Sequence, residues 1–259
     1  MCIFALSINN HSKYKLILAS NRDEFFNRET QFAHHWKDSD IFAGKDLKMG
    51  GTWLGINKKK QLGILTNYRN PLLVDMSYKS RGMLILDYLN QEISIDKWRE
   101  NIEKENYNPF NIILGPLHNL HYYSNIKKEL TKLNDGIHVL SNGFLNEAWP
   151  KTEKLRKLFT EALACRDAWP CVSTWDNLHS KLIEIMQDEE KFAIETLPNT
   201  NIPKEMEYFL SSIFINSEKY GTRATTIITI DYDDNINFTE VSYNNKKEVI
   251  KVLNHNPLF

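Results

Sequence analysis

Cysteine is scarce in this sequence, and its scarcity excludes several classes of protein. The 259 residues include three cysteines, at Cys2, Cys165 and Cys171. Three cysteines provide no disulfide framework, and their odd number is typical of a reducing compartment. Cys165 and Cys171 also lack further cysteine or histidine at the spacing of zinc ligands, so we expect no structural metal.

Long apolar runs and an excess of one charge are also missing. No apolar run approaches the ~18 residues of a membrane span, so stable membrane insertion is not expected. The N-terminal residues lack the basic start of a signal peptide, and the early Asp23 and Glu24 are unlike a transit peptide. The formal net charge of −1 provides no basic field for nucleic acid. We therefore expect a cytoplasmic protein whose partner is a small molecule.

The rest of the composition is that of an ordinary globular protein. Hydrophobic residues make up 42% of the chain, which is sufficient for a sizeable core. The length suits one large domain, and no repeat, low-complexity segment or long linker divides the sequence. We therefore predict a single domain over residues 1–259.

Pairs of short apolar runs are typical of β-hairpins. Residues 2–8 and 14–20 flank one polar turn, and residues 52–56 and 62–66 flank another. The runs do not alternate cleanly between apolar and polar residues, which indicates strands buried on both faces. Further strand-like runs lie at 110–114, 138–141, 213–216, 225–230 and 236–241.

Apolar residues at helical spacing lie between these runs. Ser80 is placed to cap one helix, and Ser173, with Asp176 three residues later, to cap another. The apolar positions are Leu84, Ile85, Tyr88 and Leu89; Leu155, Leu158, Phe159 and Leu163; and Leu178, Leu182, Ile185 and Met186. Strands at both ends with helices between them predict an α+β fold, in which packed sheets are covered by helices.

Cys2 directly follows the initiator methionine, and its side chain is small enough for Met1 to be removed. Position 2 would then carry a thiol and an α-amine with ordinary pKa values of ~8.5 and ~8, so that a water molecule can relay a proton between them. In a nucleophile of this kind, the α-amine of the same residue acts as the general base. The alternative is a small buried residue in the first strand.

Arg22 and Asp23 end the second predicted strand, beside the strand that begins with Cys2. In this position Asp23 can orient the amine, and Arg22 can favour the thiolate by lowering the pKa of the thiol. The alternative is a solvated ion pair that contributes little to stability.

Three further polar residues lie at the ends of predicted strands. Asn67 and Asn142 carry amides that can donate to an oxyanion, although each is also a common turn residue. Arg223 precedes the strand at 225–230 and is either solvated or directed at an anionic group. His34 and His35 are adjacent, and neighbouring residues of a strand point to opposite faces, so we do not expect them to chelate a metal together.

With these residues in view, the sequence resembles the NRDE family, also called the transport and Golgi organisation protein 2 family. The resemblance extends nearly end to end, with one departure at Lys45, where the family usually has arginine. The matching blocks are 1–2, 21–24, 43–47, 50–56, 65–71, 197–198, 211–215 and 220–223.

That family is similar to the N-terminal nucleophile (Ntn) hydrolases, especially the cysteine amidases of bile-salt and penicillin type. The resemblance implies a four-layer αββα sandwich. It also implies Cys2 as the nucleophile, Arg22 and Asp23 as its partners, Asn67 and Asn142 as contacts of the oxyanion and amine, and Arg223 as a support. Arg22 and Asp23 are adjacent here, whereas the hydrolases commonly space this pair.

Two functions follow from the resemblance. The first is a cysteine amidohydrolase that acts on a small amide or thioester and needs no cofactor. The second is a non-catalytic protein that binds and moves haem, acyl-coenzyme A or lipid, because the family is associated with haem mobilisation and lipid homeostasis.

Overall fold

The computed structural model describes residues 2–37, 39–91, 93–164 and 175–256. Met1, Cys165, Cys171 and the predicted cap Ser173 lie outside the described residues. The chain divides into two compact units, one of residues up to Phe26 and from Asn134 onward, the other of Asn27–Leu133. Strands and helices are numbered along the whole chain.

The first unit is built on a six-stranded antiparallel sheet, in the order β10-β1-β2-β11-β12-β13. The first two strands form the predicted hairpin. The strands are β1 (Cys2–Ile8), β2 (Tyr14–Phe25), β10 (Gly136–Leu140), β11 (Tyr220–Asp231), β12 (Ile236–Tyr243) and β13 (Val249–His255).

Helices α3 (Pro150–Ala164) and α4 (Trp175–Met186) cover the sheet of the first unit, which also contains the short helix α5 (Lys204–Phe209). Leu155 and Phe159 of α3 and Leu182 of α4 form one buried cluster with Ile3 and Ile17 of the sheet. Burial of each such side chain contributes about 1.5–3 kcal/mol, so this cluster holds the helices against the strands that carry the site described below.

The second unit contains a seven-stranded antiparallel sheet, in the order β3-β4-β5-β6-β7-β8-β9. Its strands are β3 (Thr30–His35), β4 (Ile41–Asp46), β5 (Leu54–Asn57), β6 (Gln61–Asn67), β7 (Phe110–Pro116), β8 (His121–Ser124) and β9 (Glu129–Lys132). Its helices are α1 (Met83–Asn90) and α2 (Ile95–Ile102).

Helix α1 packs closely on the sheet of the second unit. Its four predicted core residues, Leu84, Ile85, Tyr88 and Leu89, are all buried. At Gly63 of β6, an added Cβ would lie 2.7 Å from Cγ2 of Ile85, so glycine permits this close approach. The α+β class is confirmed, since the units together contribute two antiparallel sheets and the helices that cover them.

Two local predictions are wrong. Ser80 does not cap α1, whose N-cap is Gly82 without a side-chain hydrogen bond. Residues 213–216 are not a strand, although Ile213 and Ile215 are buried. Backbone groups of this segment form separate hydrogen bonds in place of a ladder. Ile213 O accepts from Asn21 Nδ2, Ile215 N–H donates to Thr222 Oγ1, and Phe214 N–H donates to Asp188 O. In the described part of the chain, no helix combines the length and apolar character that crossing a membrane requires.

Candidate active site

The antiparallel register of β1 and β2 places Cys2 directly opposite Arg22. Cys2 is half-buried, whereas Arg22 and Asp23 are only 5% and 2% exposed. The sequence predicted that Arg22 and Asp23 end the second strand. Strand β2 continues to Phe25 instead, so the pair lies within the strand. A solvated surface ion pair is therefore excluded for these two residues.

A directed hydrogen bond holds the Asp23 carboxylate. Thr222 lies opposite Asp23 on β11, and its Oγ1 donates to Asp23 Oδ1 over 2.7 Å. The same hydroxyl oxygen accepts the backbone N–H of Ile215 over 2.9 Å. A hydroxyl has a single proton, and the Ile215 bond occupies its acceptor side, so that proton is directed at the carboxylate.

Burial is the main influence on the titration of Cys2 and Asp23. It raises the pKa of the Cys2 thiol, the nearby Asp23 carboxylate raises that pKa further, and the Arg22 guanidinium lowers it. Burial also raises the pKa of the Asp23 carboxyl, against the lowering effects of Lys151 and the Thr222 hydrogen bond. Arg22 thus acts in the predicted direction, but burial outweighs it, and the resting form of Cys2 is the thiol.

Arg223 lies at a β-bulge beside this pair. The pairing of β11 with β2 shifts between Thr222 and Ala224, so Arg223 is the extra residue and does not precede its strand. Its Nη1 donates to Phe25 O over 2.9 Å, and its guanidinium lies over the Phe26 ring. Burial lowers the pKa of Arg223, and so does the neighbouring guanidinium of Arg22.

Asn142 follows β10, the strand that pairs with the other edge of β1. Its side chain is buried. Ser141 Oγ lies 3.4 Å from both Cys2 O and Asn142 Oδ1. The first unit therefore contains Cys2 and Asn142 with the Arg22, Asp23 and Arg223 group.

Asn67 lies in the second unit, as the last residue of β6, opposite Phe110. It is half-buried. Its contribution to an oxyanion site stays a prediction from the sequence.

Asn21 has a structural role that the sequence did not reveal. Its Nδ2 donates to Met186 O and to Ile213 O, and its Oδ1 accepts from Thr225 Oγ1. These bonds connect β2, the end of α4, the segment at 210–215 and β11. Asn21 therefore fixes the strand that carries Arg22 and Asp23, and its fully buried amide is satisfied by protein groups.

Lys151 is the residue near the site that sequence reasoning missed. It is 3% exposed in the first turn of α3, and its Nζ donates to Leu210 O over 2.9 Å. A signal was present, because Lys151 precedes Leu155 by four residues and occupies the core-facing stripe of the helix. In the described residues, no group of three His, Cys, Asp or Glu side chains is arranged to hold a metal ion.

A family model described as Transport and Golgi organisation 2 matches residues 1–245. The chain belongs to this family. The mouse Transport and Golgi organization 2 homolog is 33% identical over 93% of this chain and 93% of that protein. The human homolog is 32% identical over 95% and 94%, and the Drosophila melanogaster protein is 28% identical over 93% and 91%. The NRDE-family resemblance is confirmed.

Solved structures similar to this member of the Transport and Golgi organisation 2 family have low sequence identity. Penicillin V acylase from Agrobacterium tumefaciens is 13% identical, with a TM-score of 0.47 over 98% of this chain and 91% of that one. The Caenorhabditis elegans ortholog of N-acylethanolamine-hydrolyzing acid amidase is 11% identical, with a TM-score of 0.48 over 88% and 92%.

Proposed function

We propose that this protein is a cysteine amidohydrolase that cleaves a small amide or thioester through Cys2. The register that sets Cys2 opposite Arg22, with the buried Asp23 next in β2, is the observation that carries the proposal. A thiol, a guanidinium and a carboxylate within one sheet provide a nucleophile and two charged groups to orient it.

The proposed reaction has two stages once Met1 has been removed. Cys2 Sγ attacks the carbonyl carbon, and the C–O π electrons move to the oxygen, which can accept a hydrogen bond from the Asn142 amide N–H. The α-amine of Cys2 takes the thiol proton and passes it to the leaving amine or thiolate as the carbonyl re-forms and the C–N or C–S bond of the substrate breaks. Water then loses a proton to the α-amine and attacks the acyl-thioester, the bond to Sγ breaks, and that proton passes to the Cys2 thiolate as the carboxylic acid is released.

The raised pKa of the thiol agrees with this use of the amine. A thiol that rests protonated needs a base to accept its proton during attack, and an α-amine on the same residue is within reach through one water. We propose that the Asp23 carboxylate, which the Thr222 hydroxyl orients through Oδ1, holds that amine in place.

Mass spectrometry of the protein from its native host tests the first requirement, removal of Met1. The processed protein is then incubated with a panel of acyl amides and acyl thioesters of increasing chain length. We expect an acyl adduct on the Cys2 peptide and release of the amine or thiol. Cys2→Ala should show neither, while retaining the melting temperature of the unaltered protein. Retained Met1, or turnover by Cys2→Ala, would overturn the proposal.

A second candidate is a non-catalytic carrier of haem or of an acyl-coenzyme A or lipid ligand. The neighbouring guanidiniums of Arg22 and Arg223 favour it, because two adjacent cations suit haem propionates or an acyl-ligand phosphate. A carrier needs neither the thiol nor the α-amine. Removal of either group should therefore abolish the enzyme activity but leave ligand binding by a carrier unchanged.

A further inference from the structure

Gly221 directly precedes Thr222 on β11, at a point where another part of the chain approaches the strand closely. A Cβ added to Gly221 would lie 2.6 Å from the backbone oxygen of Ile215. The φ of Gly221 is not positive, so the close approach, and not the backbone conformation, is what requires glycine here. Because the obstacle is a backbone atom, a side chain at Gly221 would move Ile215 away from β11.

The close approach lets Ile215 form two hydrogen bonds with Thr222. Thr222 N–H donates to Ile215 O over 2.8 Å, and Ile215 N–H donates to Thr222 Oγ1 over 2.9 Å. The first bond joins the two backbones, and the second fixes the hydroxyl oxygen. The one proton of that hydroxyl is then donated to Asp23 Oδ1 over 2.7 Å. The direction of this proton therefore depends on the position of Ile215.

The segment at 210–215 is also held by residues other than Thr222. Asn21 Nδ2 donates to Ile213 O over 3.0 Å, and Phe214 N–H donates to Asp188 O over 2.7 Å. These bonds fix the segment beside β2 and β11, the two strands that carry Asp23 and Thr222. Ile215 is thus a fixed point against which the Thr222 hydroxyl is set.

We infer that Gly221 is a positioning residue, which admits Ile215 to β11 so that the Thr222 hydroxyl holds the Asp23 carboxylate in one orientation. This inference rests on the proposed function, because that carboxylate is the proposed partner of the Cys2 α-amine. A carboxylate fixed through one oxygen presents the other in a defined direction. Without the fixed hydroxyl the carboxylate would rotate, and the amine would lose a partner of defined geometry.

A double-mutant cycle on the titration of Asp23 tests this inference without a substrate. The carboxyl ¹³C resonance is assigned with Asp23→Asn and followed against pH in the unaltered protein, Gly221→Ala, Thr222→Val and the double variant. Loss of a hydrogen bond donated to a carboxylate raises its pKa. We expect each single variant to raise the midpoint by about half a unit to one unit. In the Thr222→Val background, Gly221→Ala should add little, because both changes remove the same bond.

Two control variants separate this role from general damage to the fold. Thr222→Ser keeps a hydroxyl and should restore the midpoint, whereas Thr226→Val removes another buried hydroxyl of β11 and should leave the midpoint unchanged. Equal shifts from Gly221→Ala in the threonine and valine backgrounds would overturn the inference, since Gly221 would then act without the Thr222 hydroxyl. An unchanged midpoint in folded Gly221→Ala would overturn it as well.

Amide hydrogen exchange replaces the cycle if Gly221→Ala does not fold. Ile215 N–H donates to the Thr222 hydroxyl, so its exchange should be about tenfold faster in Thr222→Val than in Thr226→Val, and the Asp23 midpoint should still rise in Thr222→Val. Equal exchange or an unchanged midpoint would overturn the inference. Acylation of Cys2 is measured separately in the unaltered protein, so a missing acyl adduct refutes the proposed reaction without changing the titration result.

Discussion

Nδ1 of His179 lies 2.7 Å from Oγ1 of Thr239 in the core of the first unit. Nε2 of the same ring lies 3.0 Å from Oγ1 of Thr229. The imidazole connects α4 to β11 and β12, and it is only 2% exposed. A histidine so enclosed is held neutral, because burial disfavours the charged imidazolium.

This burial gives the first prediction, which concerns stability against pH. Burial lowers the pKa of His179 from 6.5 to about 4. Because the unfolded chain binds the proton first, the free energy of unfolding should fall as the pH decreases from 6.5 towards 4, by about 3 kcal/mol in total. Urea unfolding at a series of pH values measures the slope.

His179→Gln should reduce the dependence of the free energy of unfolding on pH in this range, because glutamine retains hydrogen-bonding groups but does not bind a proton. The exposed His35→Gln is the matched control and should retain the slope. An unchanged slope in His179→Gln would show that other groups cause the acid destabilisation.

The second prediction concerns the thiol of Cys2. Arg22 lies opposite and lowers the thiol pKa against the stronger effect of burial, so Arg22→Met should raise it. Because each unit of pKa reduces the thiolate fraction about tenfold, iodoacetamide should label the Cys2 peptide at least several times more slowly near pH 7.5. Lys13→Met, an exposed change in the β1–β2 turn, is the control. Equal labelling rates in both variants would exclude an electrostatic role for Arg22.

The third prediction separates the site from the core. Cys2→Ala replaces one small, half-buried side chain by another and should lower the free energy of unfolding by less than about 1 kcal/mol. Leu155→Ala removes a side chain that is 0% exposed and should lower it by about 2–5 kcal/mol. Leu158→Ala, on the same helix but only partly buried, should have an intermediate effect. Chemical denaturation checks the order, and a larger effect of Cys2→Ala would indicate a structural thiol.

The sequence was sufficient for much of the fold because the responsible patterns are local. The hairpin of β1 and β2 has apolar runs on both sides of a polar turn, and the core residues of α1 and α3 recur at helical spacing. Each pattern lies within a short window of the chain, so it indicates which side chains of one element face the core without knowledge of the partner elements.

The remaining features depend on partners that are distant in the chain. Residues 213–216 resemble a strand, but their hydrogen bonds go to groups outside the segment, including the side chains of Asn21 and Thr222, and no local pattern contains that information. The hydrogen bond from the Thr222 hydroxyl to the Asp23 carboxylate joins residues 199 positions apart. The position of Lys151 on the core-facing stripe of α3 can be read from the sequence, but its hydrogen bond to Leu210 O, 59 positions away, cannot.

The last prediction decides between the enzyme and the carrier through two variants. Arg223 lies at the bulge of β11 with its guanidinium near that of Arg22, so Arg223→Ala removes one of two adjacent cations. If the protein is a carrier, Arg223→Ala should weaken binding of haem or acyl-coenzyme A about tenfold or more, because charge-assisted contacts to an anion are among the stronger polar interactions. Cys2→Ala should then bind as the unaltered protein does, since a carrier needs no nucleophile. Isothermal titration calorimetry measures both, with Lys13→Met as control. Loss of haem binding in Cys2→Ala would point to thiolate ligation of the iron, and unchanged binding in Arg223→Ala would place the ligand elsewhere.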